Sequence, residues 1–491
     1  MAVFRHKIII FATDKCTYFM MIGRIDEQRR LREAFESEYS EFVAVYGRRR
    51  VGKTFLVREQ FHYKFTFQHT GLARKSTREQ LQSFQLSLRR QGYTKAPLPG
   101  NWIEAFDMLK DLIEWSKDRR KVVFIDEMPW MDAPRSSFLP ALENFWNSFA
   151  SARKDVVLIA CGSATSWIVR KLLKNKRGLH NRITYRIHLQ PFTLNECEQY
   201  AKQRKLGMSR LQLMEGYMAL GGIPYYWSLL DKSKSLAQNI DRLFFSKDGE
   251  LKGEYYELYA SLFNHPEKYV AVIETLGKKR SGLSREEIIK EGKLESNGKL
   301  SEILEDLENC GFIRKYNMIG MKSKGALYQL IDCYTLFYFR FIQNNNSNDE
   351  HFWSKSIGTG EYNSWCGLAF ERLCLLHSRQ IKTKLGISGI ISSEYAWWTD
   401  QKDGKRGAQI DLLIDRNDGV INLCEMKYTK VPFQIDASYE ANLLNKRARF
   451  IEATQTRKAV HITMVSSQGL ERNAYADEIQ SEVSGGDLFA E

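Results

Sequence analysis

Val43-Ala44-Val45-Tyr46-Gly47-Arg48-Arg49-Arg50-Val51-Gly52-Lys53-Thr54 decides the reading of this chain. An apolar strand runs into G-x-x-x-x-G-K-T, the spacing of a loop that cradles phosphates. Gly47 and Gly52 let the backbone turn tightly and bring its N–H groups up to anionic oxygens. The helix that starts near Lys53 aims the positive end of its dipole at the same oxygens. Lys53 is expected to reach the β- and γ-phosphates, and the Thr54 hydroxyl to complete a magnesium shell. Arg48, Arg49, Arg50 and Val51 fill the loop between the glycines, and the three arginines add charge without displacing any required residue. The expected ligands are ATP and Mg2+.

Around this motif lie 491 residues, enough for about three domains. A formal net charge of +14 points to a polyanionic partner, although lysine-rich surfaces are often only solvated. Eight cysteines are scattered with no C-x-x-C pair, which argues against a disulfide framework or a cysteine zinc site. A reducing, cytoplasmic setting fits that usage. No apolar run approaches the length of a membrane span, so no membrane partner is expected. The run Lys7-Ile8-Ile9-Ile10-Phe11 is too short and too soon interrupted by Asp14 and Lys15 to be a signal core. Residues 1–20 read as an N-terminal extension, with Met20 or Met21 as an alternative start.

Downstream of the loop, strands and helices alternate, the pattern of a parallel sheet with crossover helices. Tyr63–Gln68 reads as a strand, and Ser76–Leu88 and Trp102–Trp115 read as helices. Lys121-Val122-Val123-Phe124-Ile125-Asp126-Glu127 is a buried strand ending in two carboxylates. Asp126 is placed to hold magnesium and Glu127 to polarise the attacking water. Asp155–Ser163 is the next strand. Beyond it Arg182, and after it Arg186, are candidates for an arginine that approaches the γ-phosphate in cis or from a neighbouring subunit. A surface arginine facing solvent is the competing reading.

Ile22-Gly23-Arg24, Gly47–Thr54, Asp126-Glu127, Cys161-Gly162-Ser163, Pro191-Phe192 and Gly221-Gly222-Ile223-Pro224 follow one another in an order that resembles archaeal and bacterial AAA-type ATPases related to the STAND group. The resemblance implies that Ser163, with Thr165 second, reads the γ-phosphate or the attacking water. A serine at a strand end is more often a helix cap. The resemblance also makes Gly222-Ile223-Pro224 the turn of a helical lid running from about Leu194 to Phe263. Gly23 and Pro224 then border the nucleotide.

From His265 to about Ile342 short helices precede a β-hairpin. Ser284 and Glu287 have capping-box spacing, and the helix Leu300–Cys310 carries Glu302, Glu305, Asp306 and Glu308. Three helices and a hairpin suggest a winged helix-turn-helix. Its acidic third helix suits a packing or coupling module better than a DNA reader. After the polar linker Asn344–Asp349 comes a second constellation. Gly407–Ile414 and Val420–Lys427 read as a hairpin turning at Arg416–Gly419. Period two puts Glu425 and Lys427 on one face, and Asp411 can join them across the hairpin. Two carboxylates that share a divalent ion beside an ammonium suit phosphodiester hydrolysis. This D…E-x-K set resembles the PD-(D/E)XK nucleases, with Ile410 where proline often stands. The resemblance implies Glu371 as the upstream acidic residue and a metal held by Glu371, Asp411 and Glu425. Tyr395-Ala396-Trp397-Trp398, followed by Lys402, Lys405 and Arg406, reads either as a nucleic-acid grip or as strand core.

The expected architecture is α/β: an N-terminal extension over 1–20, a P-loop NTPase core with a parallel sheet over 21–193, a helical lid over 194–263, a winged helix over 264–343 and a restriction-endonuclease-like domain over 344–491. The expected function is an ATP-hydrolysing switch coupled to a nuclease-like module acting on DNA, with a homo-oligomer possible in principle. The alternatives are an ATP-dependent regulatory or nucleic-acid-binding protein with a non-catalytic C-terminal domain, and a nucleotide switch without significant turnover.

Overall fold

A computed structural model of the chain describes residues 21–163, 165–174, 178–179, 181–263, 265–320, 325–401 and 406–491. The extension 1–20 and the basic residues Lys402 and Lys405 lie outside the described residues. Strands β1 (Glu41–Tyr46), β2 (Phe67–Thr70), β3 (Lys121–Asp126), β4 (Val156–Gly162) and β5 (Tyr185–His188) form one sheet in the order β2-β3-β4-β1-β5. Every pairing in it is parallel. Phe42, Val43, Ala44 and Val45 are fully buried, as an unbroken apolar strand covered on both faces requires. Phe42 and Ala44 join the core beneath the helices Thr77–Arg90, Trp102–Trp115 and Phe138–Ser148, while Val43 and Val45 join the core on the other side.

β2 starts later than the sequence suggests. His62 and Tyr63 adopt left-handed backbone angles, φ 50° and 57°, and the Tyr63 N–H donates to the Arg58 carbonyl, so the chain is still turning there. Five helices follow the sheet, from Leu194–Gln203 to Glu254–Leu262. The turn at Gly221–Ile223 packs directly on Phe192: the Phe192 N–H donates to the Gly222 carbonyl at 2.6 Å, and a Cβ on Gly222 would strike the Phe192 backbone. Pro224 then opens the helix Pro224–Ser228, where its missing N–H costs nothing.

Residues 266–330 supply the helices Pro266–Gly277, Arg285–Gly292 and Gly298–Asn309, with β6 (Leu283–Ser284), β7 (Ile313–Tyr316) and β8 (Leu327–Leu330) in the antiparallel order β6-β8-β7. Ser284 and Glu287 make the capping box that their spacing suggests. The acidic helix Gly298–Asn309 faces the first sheet's own layer. Arg170 reaches Asp306 at 2.5 Å and Lys174 reaches Glu305 at 2.9 Å, both cations coming from the segment after β4.

The last sheet is mixed, in the order β15-β13-β11-β10-β9, with β9 (Ser392–Thr399), β10 (Ala408–Arg416), β11 (Val420–Lys427), β13 (Ala459–Ser466) and β15 (Ser481–Ser484). β12 (Phe433–Gln434) and β14 (Leu470–Glu471) pair separately. Trp397 is 5% exposed and meets Phe450 edge-on at 5.4 Å, so it is strand core and not free to stack on a base. The long helix Gly360–Leu376 runs beside β11 and also packs on Arg210–Leu220.

His377, at the end of that long helix, ties the two regions together. Its Nε2 accepts from the Leu194 N–H at 3.0 Å, and its Nδ1 lies 2.8 Å from the Leu373 carbonyl, which requires the neutral ring with the proton on Nδ1. Burial lowers its pKa to about 4. Unfolding therefore takes up a proton as pH falls from about 6.5 toward 4, and stability drops over that window. His377→Gln keeps a donor and an acceptor but does not titrate. We expect wild type to lose about 2 kcal/mol more than this variant between pH 7 and pH 5, read from urea midpoints.

Candidate functional site

The carboxyl ends of β1, β3 and β4 meet at one cleft of about 920 Å³. Gly52, at φ 92°, ends the loop and starts the helix Lys53–Gln60, with open space where a Cβ would stand. Gly47, at φ 147°, lies against the Leu189 carbonyl, where a Cβ could not fit. Lys53 is 5% exposed and donates to the Gly47 and Arg48 carbonyls at 2.9 and 2.8 Å, holding the loop closed on itself. The Thr54 hydroxyl donates to Asp126 Oδ2 at 2.8 Å. The Glu127 N–H donates to Asp126 Oδ1 at 3.0 Å. Ser163 then grips the Glu127 carboxylate twice, with its hydroxyl at 2.5 Å and its N–H at 3.1 Å. Thr54 at the start of its helix, Asp126 and Glu127 at the end of β3 and Ser163 at the end of β4 thus form one hydrogen-bonded run along the floor of the cleft.

The walls divide by chemistry. Ile22, Phe55, Tyr63, Phe192 and Tyr225 offer apolar and aromatic surface, while Arg24, Arg49, Arg50, Lys53 and Arg204 bring positive charge. Val51 and Pro224 also line the cleft. A second cleft of about 560 Å³ shares Arg49, Glu127 and Ser163 with the first and continues to Arg74, Trp130 and Glu257.

Four expectations need correction. Arg48 does not face the cleft: it is buried, pairs with Asp332 at 2.5 Å and lies 4.5 Å over the Phe312 ring. Burial opposes its charge, and Asp332 more than restores it, so its pKa ends above the usual arginine value. Gly23 does not line the cleft either. At φ 57° it leaves room for Glu196, whose carboxylate would overlap a Cβ there and which accepts from the Arg24 N–H at 3.1 Å. Arg182 is exposed and sits before β5, where the Thr184 N–H bonds the Phe42 carbonyl at the start of β1. Parallel register puts that end of the sheet away from Gly47, so Arg182 cannot serve its own chain's cleft. Arg186, opposite Ala44 in the middle of β5, is exposed and does not line the cleft.

The fourth correction concerns the second constellation. Leu412 pairs with Cys424, and Asp411 and Glu425 are the next residues along the two strands of the hairpin. Glu371 lies on the helix Gly360–Leu376 and is buried. Yet each carboxylate is engaged by the protein itself. Arg280 forks Glu371 and stands 3.9 Å from Asp411, while Asp411 accepts from Gln409 at 2.8 Å. Glu425 takes Lys446 at 2.7 Å and the Tyr439 hydroxyl at 3.0 Å. Lys427 lies 5.0 Å over the Tyr439 ring. Burial and the neighbouring Asp411 charge raise the Glu371 pKa to about 7, outweighing Arg280 and Arg372. Among the described residues no group of three His, Cys, Asp or Glu side chains is arranged to hold a metal ion. In this arrangement the Glu371, Asp411 and Glu425 set does not fit a metal.

Sequence reasoning gave no role to Arg204 and Tyr63 at the cleft, and it missed Arg280 at the carboxylates. Nothing local marks Arg280, which is 91 residues from Glu371.

Residues 22–230 match the family model described as an ATPase domain predominantly from Archaea. That match covers the stretch that holds the phosphate loop and the first sheet. Over 431 residues it is 25% identical to an uncharacterized protein of Methanocaldococcus jannaschii, covering 83% of this chain and 88% of that one. Among solved structures it is similar to a Walker-type ATPase of Pyrococcus abyssi, at 18% identity and a TM-score of 0.48, over 65% of this chain and 96% of that one. It is also similar to the ORC2 protein of Aeropyrum pernix in ADPNP–ADP complexes, at 15% identity and a TM-score of 0.40, over 63% and 90% of the two chains. The chain has an α/β fold whose first sheet is parallel throughout. Among the described residues no helix is long and apolar enough to cross a membrane.

Proposed function

We propose that this protein is an ATP-hydrolysing switch whose nucleotide state is passed through residues 264–343, a winged helix, to a C-terminal PD-(D/E)XK-like module that acts on DNA. The observation that carries the first part is the run Thr54–Asp126–Glu127–Ser163 on the cleft floor. Its oxygens are the kind that magnesium takes, and the cationic wall matches a triphosphate. The residues present therefore fit a magnesium nucleotide. Bound ATP supplies the phosphoanhydride, and Mg2+ would be held by the Thr54 hydroxyl and the Asp126 carboxylate. Glu127 accepts the proton of the attacking water, and Ser163 keeps that carboxylate in one orientation. Lys53 exchanges its loop carbonyls for phosphate oxygens.

Two arginines of the loop support the coupling. Arg50 pairs with Glu254 on the last of the five helices and lies 4.3 Å over Tyr225. Arg48 holds Asp332, three residues past Gln329 on β8. A change in the loop is therefore felt at once in both downstream segments. The exposed Arg182 and Arg186 are available to a second copy, which is where an oligomer would use them. The seven cysteines among the described residues are free and buried, which is compatible with a cytoplasmic setting.

The engaged carboxylates favour a second reading, an ATP-dependent DNA-binding or regulatory protein with a non-catalytic C-terminal domain. Cleavage assays on single-stranded, double-stranded and structured DNA, with and without ATP, separate the two. The nuclease reading expects magnesium-dependent cleavage, lost at least about a hundredfold in Asp411→Ala and in Lys427→Ala. Absence of cleavage on every substrate in all nucleotide states would remove it.

A further inference from the structure

Arg280 occupies the space between two carboxylates that come from separate elements. Its Nε lies 3.2 Å from Glu371 Oε2, its Nη2 bonds Glu371 Oε1, and the same Nη2 is 3.9 Å from Asp411 Oδ2. Glu371 belongs to the long helix Gly360–Leu376 and Asp411 to β10, whereas Arg280 arrives from the loop before β6. An oxygen-ligated divalent cation would stand in that same space, drawn by the same two charges. A guanidinium, which cannot lose its proton, is a durable substitute for it.

The loop is fastened in place. The Arg280 carbonyl accepts from Gln329 Nε2 and from Arg372 Nη2, both at 2.6 Å, and the Tyr316 hydroxyl bonds the adjacent Ser281 carbonyl. Arg372 sets a second guanidinium, this one buried, beside the two carboxylates. It is 5% exposed, it feels the charges of Glu371 and Asp411, and its Nε and Nη1 have no hydrogen-bond partner. A buried guanidinium with two idle donors costs free energy that a ligand with acceptor oxygens would recover.

We infer that Arg280 is a tethered plug standing in the cation position of the C-terminal centre, closing Glu371 and Asp411 to a divalent metal. The inference rests on the proposal that these carboxylates form a nuclease-like centre, and it adds how that centre is kept shut. Gln329 and Arg372 fix the Arg280 backbone, while its half-exposed side chain can swing out to open the pair. Gln329 lies on the strand that leads directly to Asp332, the partner of the phosphate-loop arginine.

The test is Mn2+ binding to the full chain without nucleotide, by titration calorimetry. Arg280→Ala and Arg280→Gln are compared with wild type, and each is combined with Asp411→Asn. A glutamine side chain at this position keeps an amide donor for Glu371 without the charge, so Arg280→Gln decides the matter if Arg280→Ala fails to fold. Removing the plug should tighten Mn2+ binding at least tenfold, and Asp411→Asn should abolish the gain. Folded Arg280→Gln that binds Mn2+ no more tightly than wild type overturns the inference, whatever the cleavage assays give. A gain in Mn2+ binding with no DNA cleavage by any variant upholds the plug and instead removes the nuclease reading.

Discussion

Asp332→Ala should lower the unfolding free energy by about 3–5 kcal/mol, the range for breaking a buried ion pair from one side. Arg48 and Asp332 side chains are 3% and 4% exposed, and the Arg48 Nε and Nη2 already have no hydrogen-bond partner. Without Asp332 the guanidinium keeps only the face of Phe312. The same carboxylate caps the helix Cys333–Phe341, accepting from the Thr335 N–H at 3.0 Å and its hydroxyl at 2.6 Å, so a cap is lost as well. Urea unfolding measures the effect. Asp26→Ala, at a pair whose side chains are 59% and 73% exposed, should move the midpoint little. An Asp332→Ala midpoint as close to wild type as that of Asp26→Ala would show that the pair does not hold the phosphate loop to the downstream segment.

Glu127→Gln should reduce the rate of phosphate release from ATP about 10²–10⁴-fold, the span of general-base catalysis. The substitution preserves size and can keep a hydrogen bond to Ser163, but it removes the proton acceptor. Nucleotide affinity should stay within a few-fold of wild type, because Lys53 is held by the Gly47 and Arg48 carbonyls and Glu127 by Ser163. Equal rates for wild type and variant would take Glu127 out of the chemistry and leave a switch without a base.

The residues that sequence reads well are those whose local physics and tertiary role agree. β1, β3 and β4 announce themselves as apolar runs because both faces of a parallel strand are buried. Trp102–Trp115 keeps its expected bounds, with Asn101 accepting from the Glu104 N–H at its start. The phosphate loop reads correctly as a backbone device. Its side chains do not, because Arg48 is claimed by Asp332, 284 residues away. Arg182 misleads for a different reason. Its nearness in sequence to the last strand says nothing about which end of the sheet it occupies, and register alone decides that. Asp411, Glu425 and Glu371 fall on the expected elements, yet their partners Arg280 and Lys446 come from loops and helices that no local pattern connects to them.

The central claim is that the cleft at Gly47–Thr54 binds a magnesium nucleotide. Equilibrium binding of a fluorescent ATP analogue with Mg2+, to wild type and to Lys53→Ala, tests it most directly. Saturable binding by wild type, weakened at least tenfold in a Lys53→Ala protein that melts like wild type, is the predicted result. Equal affinity in the two proteins, or no saturable binding by wild type, would contradict it.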